Sequence, residues 1–158
     1  MTFTHSTDLP LPIDRVWTMF QDTEAMLPKL TEPKQQLKIE RVEPLPQQVG
    51  TEVVMSVKSP IGRIKWVARI VEHAPPHATI TGVEARFVDE QVEGPFKSWR
   101  HTHEFEATGD ETTRMTDHIE YQIGYGPLAY LANPLVVRPA LKKMFVYREK
   151  VLMEMTRG

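Results

Sequence analysis

The sequence predicts an α+β fold in which a strongly curved antiparallel sheet of about seven strands wraps on a long C-terminal helix, with two short helices after the first strand. Three observations support this. Apolar and polar residues alternate over residues 36–123, short turn signals separate the alternating segments, and the spacing is helical near both ends of the chain. Such short links require antiparallel neighbours, because a parallel pair needs a longer crossover.

The N-terminal part predicts one strand and two helices. Residues 2–9 alternate and form the first strand. The first helix has Pro12 in its opening turn. Its apolar stripe consists of Ile13, Val16, Trp17 and Phe20. We expect Thr23 to cap a second short helix, EAMLPKL, that ends near Pro33.

Six further strands and the last helix follow. The predicted strands are QQLKIERVE (35–43), TEVVMSVK (51–58), GRIKWVARIVE (62–72), ATITGVEARFVDEQ (78–91), FKSWRHTHEFEA (96–107) and TTRMTDHIEYQI (112–123). Turn signals join them, among them APPH after the third and GDE before the last. After the segment GYGPLAYLANP, residues 135–156 predict a helix that Pro139 starts or kinks. Its apolar stripe comprises Val137, Leu141, Met144, Phe145, Val151, Leu152 and Met155.

Length and composition limit the function. We expect one domain, residues 1–158, because 158 residues can bury one continuous core. A net charge of −2 predicts no nucleic-acid partner, and the absence of an apolar or basic leader predicts a cytoplasmic protein without stable membrane association. Without cysteine, any metal would need histidine and carboxylate ligands. No phosphate-binding motif is present, so we expect no cofactor. Homodimer formation is compatible with the sequence.

The stretch WRHTHEF places polar groups on an apolar face. In a strand, Trp99, His101, His103 and Phe105 point to one side. The GDE turn places His103 opposite or diagonal to Asp117, and the EGP turn puts Asp89 on the same face. We expect His5, His73 and His77 at strand starts or turns, solvated, and His118 on the other side of the sheet.

Arg148 falls within the apolar stripe of the last helix, between Phe145 and Leu152. A buried guanidinium requires a partner, so we expect it to pair with an inward carboxylate or a ligand anion, or to extend to an entrance. The sequence leaves open whether Asp89 or Asp117 is that carboxylate.

Four segments in this order, DLPLPIDRVWTMF, FVDEQVEGPFKSWRHTHEF, MTDHIEYQI and KKMFVYRE, resemble the SRPBCC ligand-binding superfamily. That superfamily includes START domains, the major birch-pollen allergen and bacterial proteins similar to polyketide cyclases and dehydrases. The resemblance implies a helix-grip fold with an apolar cavity between the sheet and the last helix. It does not settle function, because the superfamily includes carriers, cyclases and regulators.

We therefore predict a carrier or sensor of a small-to-medium hydrophobic molecule, bound between sheet and helix. The predicted cavity residues are Trp66, Phe87, Asp89, Trp99, His101, His103, Phe105, Asp117, Ile119, Tyr121, Leu141, Phe145 and Arg148. The structural alternative is that His101 and His103 are neutral, hydrogen-bonded interior residues.

Three other functions stay open. In a cyclase, dehydratase or hydrolase, His103 would be a base oriented by Asp117, with His101 or Tyr121 as acid. A metal bound by the two histidines and Asp117 is a minor alternative, and the prediction is no metal. A regulatory module would use the same pocket to change partner binding.

Overall fold

The computed structural model describes residues 1–124 and 134–157, and its elements confirm the predicted α+β class. Residues 125–133, which include most of the GYGPLAYLANP segment, lie outside the described part. The strands are β1 (Thr2–Leu9), β2 (Lys38–Glu43), β3 (Glu52–Ser59), β4 (Gly62–Ala78), β5 (Val83–Glu93), β6 (Ser98–Gly109) and β7 (Thr112–Gln122). The helices are α1 (Ile13–Gln21), α2 (Thr23–Lys29) and α3 (Pro134–Thr156), with a 3₁₀ turn at Pro33–Gln35.

The seven strands form one antiparallel sheet in the order β1-β7-β6-β5-β4-β3-β2. Strands β2 to β7 form the predicted meander, in which each strand pairs with the next. The first strand instead joins the far end of the meander, where Thr2–Leu9 pairs with β7. Strands β1 and β2 are therefore the two edges of the sheet.

The apolar core has two parts. The first packs α1 and α2 against the sheet and includes the predicted helical stripe of Ile13, Val16, Trp17 and Phe20. The second packs α3 against β6 and β7, where Leu141 and Phe145 meet Trp99, Ile119 and Tyr121. In the helical stripe of α3, the buried residues are Val137, Leu141, Phe145 and Leu152.

Strand β4 is longer than the sequence predicts, and the predicted APPH turn is wrong. The strand continues to Ala78, and the turn to β5 follows at residues 79–82, where Gly82 has φ of +146°. Pro75 and Pro76 are tolerated because the pairing with β5 shifts register between Ala74 and His77. Two prolines without N–H groups thus fall where the ladder is already interrupted.

One predicted helix cap is also wrong. Asp22 caps α2, since its carboxylate accepts a hydrogen bond from the Ala25 amide at 3.1 Å. Thr23 is the first helical residue, and its hydroxyl donates to Gln47 instead. The last helix spans Pro134–Thr156, close to the predicted residues 135–156, and of the two predicted places for Pro139 the structure shows the one inside the helix.

Candidate functional site

Strands β5, β6 and β7 bring four polar side chains together inside the molecule. The register places Asp89 opposite His101 and His103 opposite Asp117, as the two short turns predict. His101, His103 and Asp117 are buried, with 6%, 8% and 5% of their surface exposed, and Asp89 is partly buried. These four residues are called the His-Asp cluster below.

Hydrogen bonds cross the cluster diagonally. His101 Nε2 donates to Asp117 Oδ1 at 2.8 Å, and His103 Nε2 donates to Asp89 Oδ2 at 2.9 Å. The other ring nitrogen of His103, Nδ1, lies 3.1 Å from Asp117 Oδ1. That contact has an ion-pair distance but not hydrogen-bond geometry, so Nδ1 is buried without a hydrogen bond among the described residues. Asp89, not Asp117, therefore orients His103.

Aromatic rings enclose the two imidazoles. The ring centroids of His101 and His103 are 3.7 Å apart, and His103 stacks on Phe87 with a centroid distance of 4.0 Å. His101 packs edge-on against Phe145 of α3, with 6.1 Å between the two ring centroids. The imidazole pair thus connects the core under α1 to the core under α3.

Both carboxylates are stabilised as anions. Burial raises the pKa of Asp117, but the adjoining His101 and His103 outweigh it, and the pKa lies well below its ordinary value. Burial raises the pKa of Asp89 in the same way. The hydrogen bond from His103 and the nearby positive charges, that of Arg148 included, lower it below its ordinary value.

The two histidines have opposite pKa shifts. Burial and the neighbouring His103 lower the pKa of His101, and its contact with Asp117 only partly compensates. Burial also lowers the pKa of His103, but the two flanking carboxylates outweigh it and raise the pKa. A lone pair on Nδ1 of His103, facing a carboxylate oxygen, would be repelled. A proton on that nitrogen removes the repulsion, so His103 takes up a proton more readily than His101 does.

Arg148 of α3 acts electrostatically on this cluster without contacting it. Its Nε donates to the Leu30 carbonyl at the end of α2 at 3.3 Å, and its guanidinium lies 5.3 Å from the centre of the Phe145 ring. Neither Asp89 nor Asp117 is within ion-pair distance, so the expected carboxylate partner is not observed among the described residues. Burial lowers the pKa of Arg148, and the two carboxylates act on it only through space.

The structure divides the other predicted cavity residues between the two cores. Phe87 and Phe105 belong to the first, where Phe105 is 1% exposed and contacts Trp17 and Phe20 edge-on or tilted. The remaining apolar ones surround the second core: Trp66, Trp99, Ile119, Tyr121, Leu141 and Phe145. Phe105 is consequently part of the packing between α1 and the sheet.

Three inward residues were missed by the sequence analysis. Phe96 lies among the rings of Trp66, Trp99 and Tyr121. Phe3 stacks on Phe145 at 5.5 Å, next to His5. The alternation of β1, which puts odd-numbered residues on one face, was the available signal for Phe3 and His5.

The predictions for the other histidines are partly wrong. His5 lies in the middle of β1, partly buried, 3.0 Å from Glu149 of α3 and stacked on Phe145. His73 lies within β4, where its Nε2 is 2.6 Å from the Gln21 side chain, and His77 also lies within β4. His118 faces the other side of the sheet as predicted, 2.7 Å from the Thr4 hydroxyl.

A surface groove of about 630 Å³ lies on the opposite face of the sheet and does not involve the cluster. Charged side chains line much of it, including Glu52, Lys65 and Arg69. Salt bridges between Arg69 and Glu52 and between Lys65 and Glu93 already pair these charges. The groove therefore has the character of a solvated outer face.

Sequence comparison establishes the family. Residues 1–151 match the family model described as polyketide cyclase / dehydrase and lipid transport. The chain belongs to this family. The match covers nearly the whole chain and confirms the resemblance drawn from the four sequence segments. No curated protein sequence matches the chain.

Solved structures share the fold of this family member at low sequence identity. TTHA0849 from Thermus thermophilus is 20% identical with a TM-score of 0.66, covering 99% of this chain and 97% of that one. The ZhuI aromatase/cyclase from Streptomyces sp. R1128 is 13% identical with a TM-score of 0.65, covering 99% and 93%. Norcoclaurine synthase from Thalictrum flavum, solved with dopamine and hydroxybenzaldehyde, is 16% identical with a TM-score of 0.61, covering 98% and 87%.

These likenesses establish the helix-grip fold and nothing finer, because the sequence identities are low. In the part of the chain that the structure describes, no helix is long and apolar enough to cross a membrane.

Proposed function

We propose that this protein binds a small-to-medium hydrophobic molecule with a polar, preferably anionic, end, as a carrier or sensor. One observation carries the proposal: the buried His-Asp cluster adjoins the aromatic core under α3 at Phe145, where the guanidinium of Arg148 also lies, without a carboxylate partner among the described residues. A dry structural core of this size gains little from so many ionisable groups, because each pays a desolvation cost.

Each group has a distinct part in this binding. Apolar contact area comes from three aromatic residues, Trp99, Tyr121 and Phe145. Each Å² of it that is removed from water contributes roughly 25 cal/mol to binding. His101 and His103 orient the polar end of the ligand. Arg148 supplies the positive charge for an anionic group, since a ligand anion would take the place that neither cluster carboxylate fills.

The family supports a ligand of this kind. The relative from Thalictrum flavum was solved with dopamine and hydroxybenzaldehyde, two aromatic molecules with polar substituents. The aromatic core of the present chain is suited to the same general class, an apolar body with one polar end.

A pair of fluorescent probes tests this proposal. 1-Anilinonaphthalene-8-sulfonate is anionic, and N-phenyl-1-naphthylamine is a similar molecule without the sulfonate. We expect both to bind the folded protein. Trp99→Ala lowers the affinity for both probes because it removes part of the apolar wall. Arg148→Met lowers the affinity for the anionic probe only. The decrease is about tenfold, because one charge-assisted contact worth roughly 1.4 kcal/mol is lost.

Arg138→Met is the matched control, because Arg138 is exposed on the same helix. It leaves both affinities unchanged. Circular dichroism confirms that each variant is folded before binding is measured. Absence of binding by either probe to the folded wild type contradicts the proposal, as does an equal effect of Arg148→Met and Arg138→Met on the anionic probe.

A second candidate function is a cyclase or dehydratase acting on a polyketide-like or aromatic substrate. The specific observation in its favour is His103, which two carboxylates flank and whose pKa is raised. Such a histidine is suited to general acid–base work near neutral pH, with Asp89 holding its orientation. Arg148 would stabilise an enolate or carboxylate.

Turnover of a model poly-β-ketone substrate tests this second function. His103→Gln and Asp89→Asn should abolish turnover while binding of the neutral probe, N-phenyl-1-naphthylamine, survives. Retained turnover in both variants rules out this mechanism, and loss of turnover together with loss of probe binding rules out a separate catalytic role.

A further inference from the structure

We propose that Asp89, His101 and His103 form a binding site for a divalent transition-metal ion. Each of the three residues offers one ligand atom, and these atoms all lie within 4.8 Å of one another. Two histidines and one carboxylate are a donor set that suits Zn²⁺, Co²⁺, Ni²⁺ or Fe²⁺ better than Mg²⁺ or Ca²⁺. The chain has no cysteine, so this is the metal chemistry open to it.

The spacing of the donors supports the site. Metal–ligand bonds of about 2.0–2.2 Å hold neighbouring donor atoms about 3–3.5 Å apart. His103 Nε2 and Asp89 Oδ2 are already 2.9 Å apart, so an ion can replace the proton that now joins them. His101 and His103 are two residues apart on β6, on the same face, with their ring centroids 3.7 Å apart. The third donor atom, on His101, lies within 4.8 Å of the other two.

Asp117 provides the support that metal-bound histidines need. Its Oδ1 accepts a hydrogen bond from His101 Nε2 and lies 3.1 Å from His103 Nδ1. That Nδ1 is the buried ring nitrogen without a hydrogen bond among the described residues. Asp117 already fixes His101, and once an ion replaces the proton between His103 and Asp89, Asp117 would accept a hydrogen bond from His103 Nδ1. This arrangement leaves the other ring nitrogen of each histidine, His101 Nδ1 and His103 Nε2, as the ligand.

The charges of the site also favour a cation. Asp89 and Asp117 bring two negative charges into the interior, where His103 and His101 hydrogen-bond them and Arg148 acts on them only through space. A divalent ion compensates both at short range and releases the proton between His103 and Asp89 to solvent. Three protein ligands leave at least one coordination position for water or for a polar group of a bound molecule.

This inference does not rest on the proposed ligand-binding function, because the metal is tested alone. The protein is stripped with EDTA, dialysed and titrated with Co²⁺, whose visible absorption reports coordination by protein nitrogen. We expect one Co²⁺ for each chain. Asp89→Asn and His101→Gln, which remove direct ligands, should weaken binding by at least about 100-fold, and Asp117→Asn by about 10–100-fold.

His118→Gln is the matched control, since His118 follows Asp117 on β7 but faces the other side of the sheet. It leaves Co²⁺ affinity unchanged. Ring-nitrogen NMR of the wild type with Zn²⁺ avoids any variant that fails to fold. The signals of His101 and His103 should shift, and that of His118 should stay in place.

Two results would overturn the metal site. One is the absence of Co²⁺ absorption and of Zn²⁺-dependent ring shifts in the folded wild type at tenfold excess of metal. The other is equal Co²⁺ affinity in the wild type and a folded Asp89→Asn variant. Either result leaves the binding of the naphthyl probes unaffected, so the two proposals fail separately.

Discussion

Asp117 faces His103 in the strand register, yet its side chain accepts a hydrogen bond from His101, one diagonal position away. Asp89 has the mirrored arrangement, since it faces His101 and bonds His103. Each carboxylate therefore contacts or faces both imidazoles. The consequence is electrostatic coupling, because a change of charge on one member of the cluster changes the pKa of the others.

Replacement of Asp117 should destabilise the protein strongly. Asp117→Asn removes a buried charge that both histidines contact, and we expect a loss of about 3 kcal/mol in the free energy of unfolding. Urea denaturation at neutral pH measures this loss. Glu120→Gln is the control, because Glu120 is exposed on the same strand, and its effect should stay within about 0.5 kcal/mol. Equal losses in the two variants would contradict a buried role for Asp117.

Acid should destabilise the protein through the same carboxylates. The pKa values of Asp89 and Asp117 lie below their ordinary 3.8, so the unfolded chain binds protons first as pH falls. Their contribution to the free energy of unfolding is fully present above about pH 3.8, and it is lost as the pH falls through the pKa values of the folded state. Each carboxylate contributes up to about 1.4 kcal/mol per pH unit to the slope of the unfolding free energy against pH. Urea unfolding between about pH 5 and about pH 3 should be less pH-dependent in Asp89→Asn.

The two histidines should titrate on opposite sides of 6.5. We expect ring NMR to give His103 a pKa above that value and His101 one below it. The proton on His103 stabilises the folded state below 6.5, and this effect is lost as pH rises through the folded pKa. His101 stays neutral when folded, so acidification below 6.5 favours the unfolded chain at this site. A pKa of His103 below that of His101 would refute the assignment, and Asp89→Asn should lower the pKa of His103.

The inner face of β5 to β7 could be predicted because short turns and alternation fix its register. His103 and Asp117 are separated by a hairpin, and parity alone brings them to the same side of the sheet. The hydrogen-bond partners could not be predicted, because side-chain rotations decide between a direct and a diagonal contact. Asp89 was therefore identified as an inward residue but not as the partner of His103.

Phe105 should act as a core residue without a role in ligand binding. It is 1% exposed and packs against Trp17 and Phe20 of α1. Phe105→Ala should cost about 3–5 kcal/mol of unfolding free energy, and Phe105→Leu less than about 1.5 kcal/mol. The Leu variant, which stays folded, should bind both naphthyl probes with unchanged affinity. Weakened probe binding in that variant would place Phe105 in the binding wall after all.

Contacts between distant segments were the part that the sequence could not supply. His5 meets Glu149 across 144 positions, and Arg148 meets Leu30 across 118. No short turn fixes such pairs, because they depend on how α3 docks on the sheet. The bulge at Pro75 and Pro76 was missed for a different reason, since two prolines in sequence are more typical of a turn than of a strand.

Strand β2, one of the two edges of the sheet, spans only Lys38–Glu43 and reads KIERVE. Four of its six residues are charged, and Ile39 and Val42 are its apolar ones. A second chain that added a strand here would have to place its backbone beside these charged side chains, which would lose part of their hydration. The short, charged edge strand β2 thus disfavours the edge-to-edge pairing of sheets through which fibrils grow.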